Sequence, residues 1–490
     1  MKKPSILEDD RINISFKDSP SLFKFDQQFP IYNWLYPFDE RGKKLADPFS
    51  AFISIEPRSR LRALYFHVPF CDTICTFCPF TRGQYDSQSE LDRFVQALLR
   101  EIEIKHQYPA ISSAPIDTIY FGGGTPSVLS VDHFYQLGEA LHRFFDLSRL
   151  KEFTMECEVK SVTPEKLKVW KEIGVTRISF GVQTFNPLYR QLFNLTATIE
   201  QIRQVAEWSN ELFAETNIDM IVGIAGQSLD DLLDDIEQAN SLNMTTVDYY
   251  TLNNIVAQTQ MHRAFTTQGL KPLSANTKLS YRMFLNEYLR AQGYVPNNGY
   301  SFTRNRAPVG SPRMVIQRDP VLLYQDATYG FTDDYVDCYG PGAVGTMGSH
   351  IIYNIENRNQ YAVRLLDDKR QAWFTAHSDL DVANKGIIYF PYRGFLDKSR
   401  VEWDNVHPET RATLDKAVAC GLAVDQGDSY TLTDAGWLFA VNLMYLLMPP
   451  ADQIVLSKLI KRSEALADRT PDDVILISPR RTITTAQTVA

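Results

Sequence analysis

Three cysteines stand close together in the stretch Tyr65-Phe66-His67-Val68-Pro69-Phe70-Cys71-Asp72-Thr73-Ile74-Cys75-Thr76-Phe77-Cys78-Pro79-Phe80. An apolar, strand-like run breaks at Pro69 and opens into a loop with the spacing Cys-x3-Cys-x2-Cys. Three thiolates on so short a loop can hold three irons of a [4Fe–4S] cube and leave the fourth iron open to a small molecule. Two plainer chemistries use the same residues. One is a disulfide with a spare thiol; the other is a zinc site, for which His67 is the nearest fourth ligand. Against the first, the other three cysteines (Cys157, Cys338, Cys420) are scattered and the N-terminal stretch lacks a signal-peptide apolar region, which fits a reducing, cytoplasmic setting. Against the second, His67 sits inside the apolar run, where it fills a core or supports the loop.

The elements around this loop repeat. Short β-rich runs cover 64–68, 118–121, 153–159, 177–182, 217–223 and 247–252, and amphipathic helical patterns lie between them at 90–106, 132–145, 164–173, 200–213 and 229–242. Six strand–helix units predict an α/β fold, an incomplete (βα)6 barrel with helices outside and its active face at the C-terminal ends of the strands. The cysteine loop follows the first strand on that face. After the second strand come Gly122, Gly123, Gly124 and Thr125, where missing Cβ atoms let a ligand approach the backbone and exposed N–H groups can meet an anion. Glu156 and Glu158 share one face of strand three by period-two geometry, either pointing into the barrel or pairing with Lys160. Gln183 ends strand four. Asp219 lies in a strongly apolar strand five, where a buried charge demands a partner. Tyr249, Tyr250 and Asn253 stand near the end of strand six.

Outside the barrel the pattern is looser. Residues 1–60 are rich in aromatics and read as an extension packed on the core. The span 61–295 is the barrel, and 296–380 a connecting and substrate-side segment with a polar stretch over 297–318 and the glycine-rich turn Asp337-Cys338-Tyr339-Gly340-Pro341-Gly342-Ala343. The span 381–449 reads as a small helical, winged-helix-like domain ending in a helix over 434–448. The remainder, 450–490, is a helix and then a tail without periodicity from about residue 468. A net charge of −9 and the lack of a basic recognition helix argue against nucleic acid. The longest apolar run, 437–448, is too short to span a bilayer, so no membrane partner is expected.

Taken together, these motifs resemble the coproporphyrinogen III oxidase-like branch of the radical S-adenosylmethionine (SAM) proteins, over roughly residues 60–450. The resemblance implies that Cys71, Cys75 and Cys78 ligate the cluster, whose open iron binds SAM, and that the electron it passes cleaves SAM to a 5′-deoxyadenosyl radical. It implies further that Tyr65, Phe77 and Phe80 stand beside the cofactors and that Gly122, Gly123, Gly124 and Thr125 hold the cluster-bound SAM. Glu156, Glu158 and Gln183 would anchor it, and Asp219 and Ile221 would line a pocket for two SAM molecules. Cys338 and Tyr339 are candidates for substrate contact or radical relay, beside the alternative of a turn with a buried cysteine.

The chain departs from the family in three places. Pro79-Phe80 replaces the Gly-Cys of the oxidases, which counts against porphyrinogen decarboxylation. Leu195 stands where many members carry a SAM-binding arginine, with Arg190 the nearby candidate to replace it. The His-Asn-x-x-Tyr-Trp segment of the haem-chaperone branch is missing. The leading expectation is a two-SAM C-methyltransferase, or a cyclopropane-forming methylene transferase, acting on an unsaturated small molecule and fed by a donor such as flavodoxin or ferredoxin. The alternatives are anaerobic haem opening, which the branch also performs, and a haem-binding carrier without turnover.

Overall fold

The computed structural model describes residues 36–38, 42–44, 52–53, 55–56, 59–252, 258–304, 323–367 and 372–464. Asn253, most of the N-terminal extension, the polar stretch after residue 304 and the tail lie outside the described residues.

Six strands run in chain order: β1 (Leu61–Val68), β2 (Thr118–Gly123), β3 (Glu152–Cys157), β4 (Arg177–Gln183), β5 (Glu215–Val222) and β6 (Thr246–Thr251). Each pairs in parallel with the next. Between them run α1 (Gln88–His106), α2 (Val131–Phe144), α3 (Pro164–Glu172), α4 (Pro187–Leu192), α5 (Ile199–Leu212) and α6 (Leu229–Ser241). Their starts are written locally. Ser130, Thr198 and Ser228 each close a capping box, and Thr163 caps α3 ahead of Pro164. The helix-facing side of the sheet is largely apolar: Phe66 stacks on Phe121 at 4.5 Å, and Phe121 meets Phe153 at 5.6 Å.

The expected connecting segment adds strands to both edges. After β7 (Tyr294–Pro296), β8 (Ser301–Arg304) pairs antiparallel with β6. On the other edge β9 (Asp334–Tyr339) lies parallel to β1, and β10 (Val344–Met347), β11 (His350–Asn354) and β12 (Ala372–Ala376) follow antiparallel. With Lys43–Lys44 the sheet has 13 strands among the described residues. Strand β9 escapes a pattern search because its buried face carries acids. Asp337 is matched by Arg62 at 2.7 Å and Asp334 by Arg400 at 2.9 Å.

The C-terminal part holds a three-stranded antiparallel sheet (Phe395–Asp397, Ser429–Leu432, Ala423–Asp425) beside the helix Pro408–Ala419. The expected helix over 434–448 is two helices, Asp434–Leu438 and Ala440–Leu446, because Phe439 leaves helical geometry. No helix among the described residues is long and apolar enough to cross a membrane.

Candidate active site

Strand β1 ends at Pro69, and the chain returns to its own neck: the Gly83 N–H donates to the Pro69 carbonyl at 2.9 Å, and Phe70–Cys71 pairs with Gly83–Gln84. The loop between is tied to distant strand ends. Thr76 donates from its N–H to the Phe193 carbonyl (3.1 Å) and from its hydroxyl to Leu192 (2.9 Å). Asn194 donates to the Ile74 carbonyl at 2.9 Å, Gln258 to the Phe77 carbonyl, and Lys160 pairs with Asp72 at 2.8 Å. The Phe77 ring meets Phe193 at 4.9 Å within an apolar cluster that includes Ile221. A polar loop held at so many points is a preformed platform over the barrel mouth.

All six cysteines are free thiols, which removes the disulfide reading. His67 is also committed. A carbonyl only accepts, so Nε2–H donates to Thr81 (2.8 Å), and the bare Nδ1 accepts from the Tyr65 hydroxyl (3.0 Å). That leaves no His67 nitrogen for zinc. Among the described residues no three His, Cys, Asp or Glu side chains converge as ligands of a single metal ion. Thiolates on separate irons of a cube stand further apart than ligands on one ion, so the loop suits a cluster. Cys71, Cys75 and Cys78 sense one another electrostatically, and Thr125 donates to the Cys71 sulfur at 3.4 Å. Burial pushes Cys71 up to about 11 and Cys75 up to about 12, so iron must displace their protons on binding.

The glycine strip lies against the root of this loop. A Cβ on Gly124 would stand 2.7 Å from the Phe70 carbonyl and 2.8 Å from that of Val68, and Gly123 has φ +110°. Only glycine fits both positions. Glu156 accepts from Tyr120 (2.5 Å) and from the Gly123 N–H (3.2 Å). One of the expected anion-binding amides is therefore spent on Glu156. Burial raises the Glu156 carboxyl, and those two hydrogen bonds pull it back. Glu158 diverges from Glu156 because β3 ends at Cys157: its N–H donates to Ser127 (2.9 Å), and its carboxylate lies electrostatically close to Cys71 and Cys75. Gln183 sits at a bulge with φ +71°, a left-handed conformation held at the strand end.

The inward face of the barrel encloses a hollow. Each strand is almost wholly buried, yet near one level the inward residue keeps accessible surface: Tyr65, Tyr120, Glu156, Gly181, Asp219 and Tyr250. Asp219 accepts from Asn217 at 2.9 Å, and burial with the facing Asp248 holds it well above the ordinary carboxylate range. Tyr120, Arg177 and Asp248 belong to this space and were not singled out from the sequence. The available signals were Tyr120 on the same face as Gly122, and Asp248 as a charge in an apolar strand.

Three sequence expectations are corrected. Arg190 does not face the hollow; its guanidinium donates to the carbonyls of Val182 (3.1 Å), Thr184 (2.9 Å) and Ala197. Tyr339 is in register with Phe66 and stacks on it at 4.8 Å, on the helix side of the sheet, with Lys105 over its ring. Cys338, beside Tyr65 in register, is 1% exposed and packed against β10 and β11, so neither residue reaches a substrate. Phe80 is 50% exposed, at the rim.

A sheet with this topology and a Cys-x3-Cys-x2-Cys loop on the mouth of its barrel defines a class, and residues 65–239 match the model of the Radical SAM superfamily. Over that span the chain is similar to radical SAM proteins, and the similar proteins include members of the coproporphyrinogen oxidase-like branch. It is 34% identical over 189 residues to the heme chaperone HemW of Lactococcus lactis subsp. lactis (strain IL1403), covering 38% of this chain and 48% of that protein. It is 28% identical over 253 residues to an anaerobilin synthase of Escherichia coli O157:H7, covering 51% of this chain and 54% of that protein. The chain thus spans about half the length of these curated relatives. The solved coproporphyrinogen III oxidase (HemN) of Escherichia coli superposes with a TM-score of 0.70 at 20% identity, covering 85% of this chain and 96% of that one, which establishes the shared fold.

Proposed function

We propose that this chain is a SAM-cleaving enzyme acting on haem or a related tetrapyrrole, by methyl-transfer chemistry that opens or modifies the conjugated ring. The methyltransferase or cyclopropanase reading on another unsaturated acceptor comes second, because the matches are to heme chaperones, an anaerobilin synthase and coproporphyrinogen oxidases. The observation that carries the enzyme reading is the hollow beneath the cysteine platform, lined by Tyr65, Tyr120, Glu156 and Asp219.

When bound, the cluster supplies one electron to the SAM sulfonium, which releases a 5′-deoxyadenosyl radical. The chain's own residues do the rest. Glu156, held by Tyr120 and Gly123, presents a fixed carboxylate to ribose hydroxyls or an ammonium group. Tyr65, its proton committed to His67, offers lone pairs as an acceptor. Gln183, on the next strand, stands with Glu156 for the cluster-bound SAM, and Asp219, one strand further, stands for the pocket of two SAM molecules. The enclosing barrel keeps water away from a radical, which would otherwise be quenched.

A carrier without turnover is the competing reading, favoured by the heme chaperone matches. Anaerobic incubation of the reconstituted full chain with haem, SAM and a reductant separates the two. The enzyme reading expects 5′-deoxyadenosine formed in step with loss of haem; intact haem held one per chain without SAM consumption would establish the carrier.

A further inference from the structure

At the floor of the hollow one cation stands without a partner. Arg177 opens β4, on the same face as Ser179 and Gly181. Its side chain is buried (residue 1% exposed) and makes no hydrogen bond or ion pair among the described residues, and its Nε is shut off from solvent with nothing to donate to. Tyr120, Asp248, Glu152 and Asp219 surround it electrostatically, yet no carboxylate closes to ion-pair distance. Other buried arginines are engaged: Arg62 on Asp337, Arg190 on three carbonyls, Arg282 on the carbonyls of Tyr249 and Gly299. A buried guanidinium left without hydrogen bonds is costly, so this geometry expects a partner from outside the chain.

The neighbours indicate which partner. Asp219 and Asp248 are in register on β5 and β6, side by side on the inward face. Burial raises both carboxyls, and for Asp219 the neighbouring Asp248 adds to it, which favours a neutral member in the pair. Asp248 is 3% exposed; Tyr250 donates to its Oδ2 at 3.2 Å, and Ser301 and Asn217 lie close to the carboxylate. Asp219 faces the hollow, and Glu156 stands across it. Arg177 and the protonated member of the pair are therefore donors aimed into one space. An amine would suit the acids and leave Arg177 orphaned. A carboxylate satisfies both, with two bonds from the guanidinium and a third from the carboxyl proton.

We propose that the barrel floor is a docking site for a ligand carboxylate, with Arg177 as its ion partner and the Asp219–Asp248 pair as the flanking proton donor. The proposal deepens the SAM-dependent tetrapyrrole reading and rests on it. The carboxylate has two sources: the amino-acid end of SAM, or an acid arm of the substrate.

The test measures anaerobic affinities of the reconstituted full chain for SAM and decarboxylated SAM, and for haem and haem dimethyl ester. One of the two pairs should show weaker binding of the blocked form, on the order of 10–100-fold for a lost charged hydrogen-bond partner. The pair whose discrimination is lost in Arg177→Met names the source, because the carboxylate of SAM also serves the open iron of the cluster. Arg177→Met should weaken the free acid by a similar factor and leave the blocked form unchanged, while Arg177→Lys restores part of the loss. Equal affinity for haem and its dimethyl ester in the unmutated protein, with the preference for SAM over decarboxylated SAM unchanged in an Arg177→Met chain of unaltered iron content, overturns the site. Failure to bind either SAM or haem overturns the enzyme reading and the site with it; binding of both without discrimination that depends on Arg177 overturns only the site.

Discussion

Arg190→Ala separates two roles that the sequence leaves together. If Arg190 replaced the arginine missing at Leu195, its loss would cut SAM affinity and leave the fold intact. The structure has it fastening the backbone around Gln183: two of its three carbonyl partners, Val182 and Thr184, flank that left-handed residue, and the third, Ala197, precedes α5. Charge-assisted bonds contribute about 1.5–3 kcal/mol each, and removing the buried guanidinium also relieves its desolvation cost. Three bonds less that relief give a net loss of about 2–4 kcal/mol of stability, among the larger single-residue effects. Arg190→Lys should recover little, because one ammonium cannot span three separate carbonyls. The assay is denaturant unfolding of the metal-free chain beside SAM titration of the reconstituted one. A variant with wild-type unfolding and a selective loss of SAM affinity would refute this assignment and return Arg190 to the binding site.

Replacing Cys71, Cys75 and Cys78 together by Ala should abolish iron binding, read by iron analysis after anaerobic reconstitution; about four irons per unmutated chain are expected. Glu156→Ala should weaken SAM binding by about 1–3 kcal/mol at unchanged iron content, and unchanged affinity would remove Glu156 from the site. Asp337→Ala should cost about 3–5 kcal/mol by stranding Arg62, whereas Arg62→Met with Asp337→Leu should recover most of it in the same unfolding assay. Burial raises Asp235 to about 6, so its stabilising contribution is full below the unfolded value, near 3.9, and is lost as pH rises through about 6. That loss is about 3 kcal/mol, and Asp235→Asn should flatten it in unfolding curves taken across that range.

The barrel was legible because its strands are short β-rich runs and its helices begin at Ser or Thr caps; observed strand and helix ends fall within a few residues of the expected ones. The sheet beyond β1 was not. Strand β9 reads Asp-Tyr-Val-Asp-Cys-Tyr, and an acid on a buried face looks like solvent exposure until Arg62 is seen beside it. Misreading that strand also hid the parity of Cys338 and Tyr339, which looked available as part of a turn although Tyr339 faces the helices. At the site, the cysteine loop and the glycine strip were readable because spacing alone carries them. The Arg190 contacts depend on how the chain folds back after β4, and Arg177 drew no notice because a single arginine opening a strand resembles a solvated end. Both need coordinates.

The most direct test of the account is anaerobic turnover of the reconstituted chain with methyl-deuterated SAM, haem and a reductant, followed by mass spectrometry. The account expects 5′-deoxyadenosine carrying one deuterium, S-adenosylhomocysteine in comparable amount, and a haem-derived product heavier by a labelled one-carbon unit. Deuterium-free 5′-deoxyadenosine with a modified tetrapyrrole would contradict methyl transfer, and intact haem with unconsumed SAM would contradict catalysis on haem altogether.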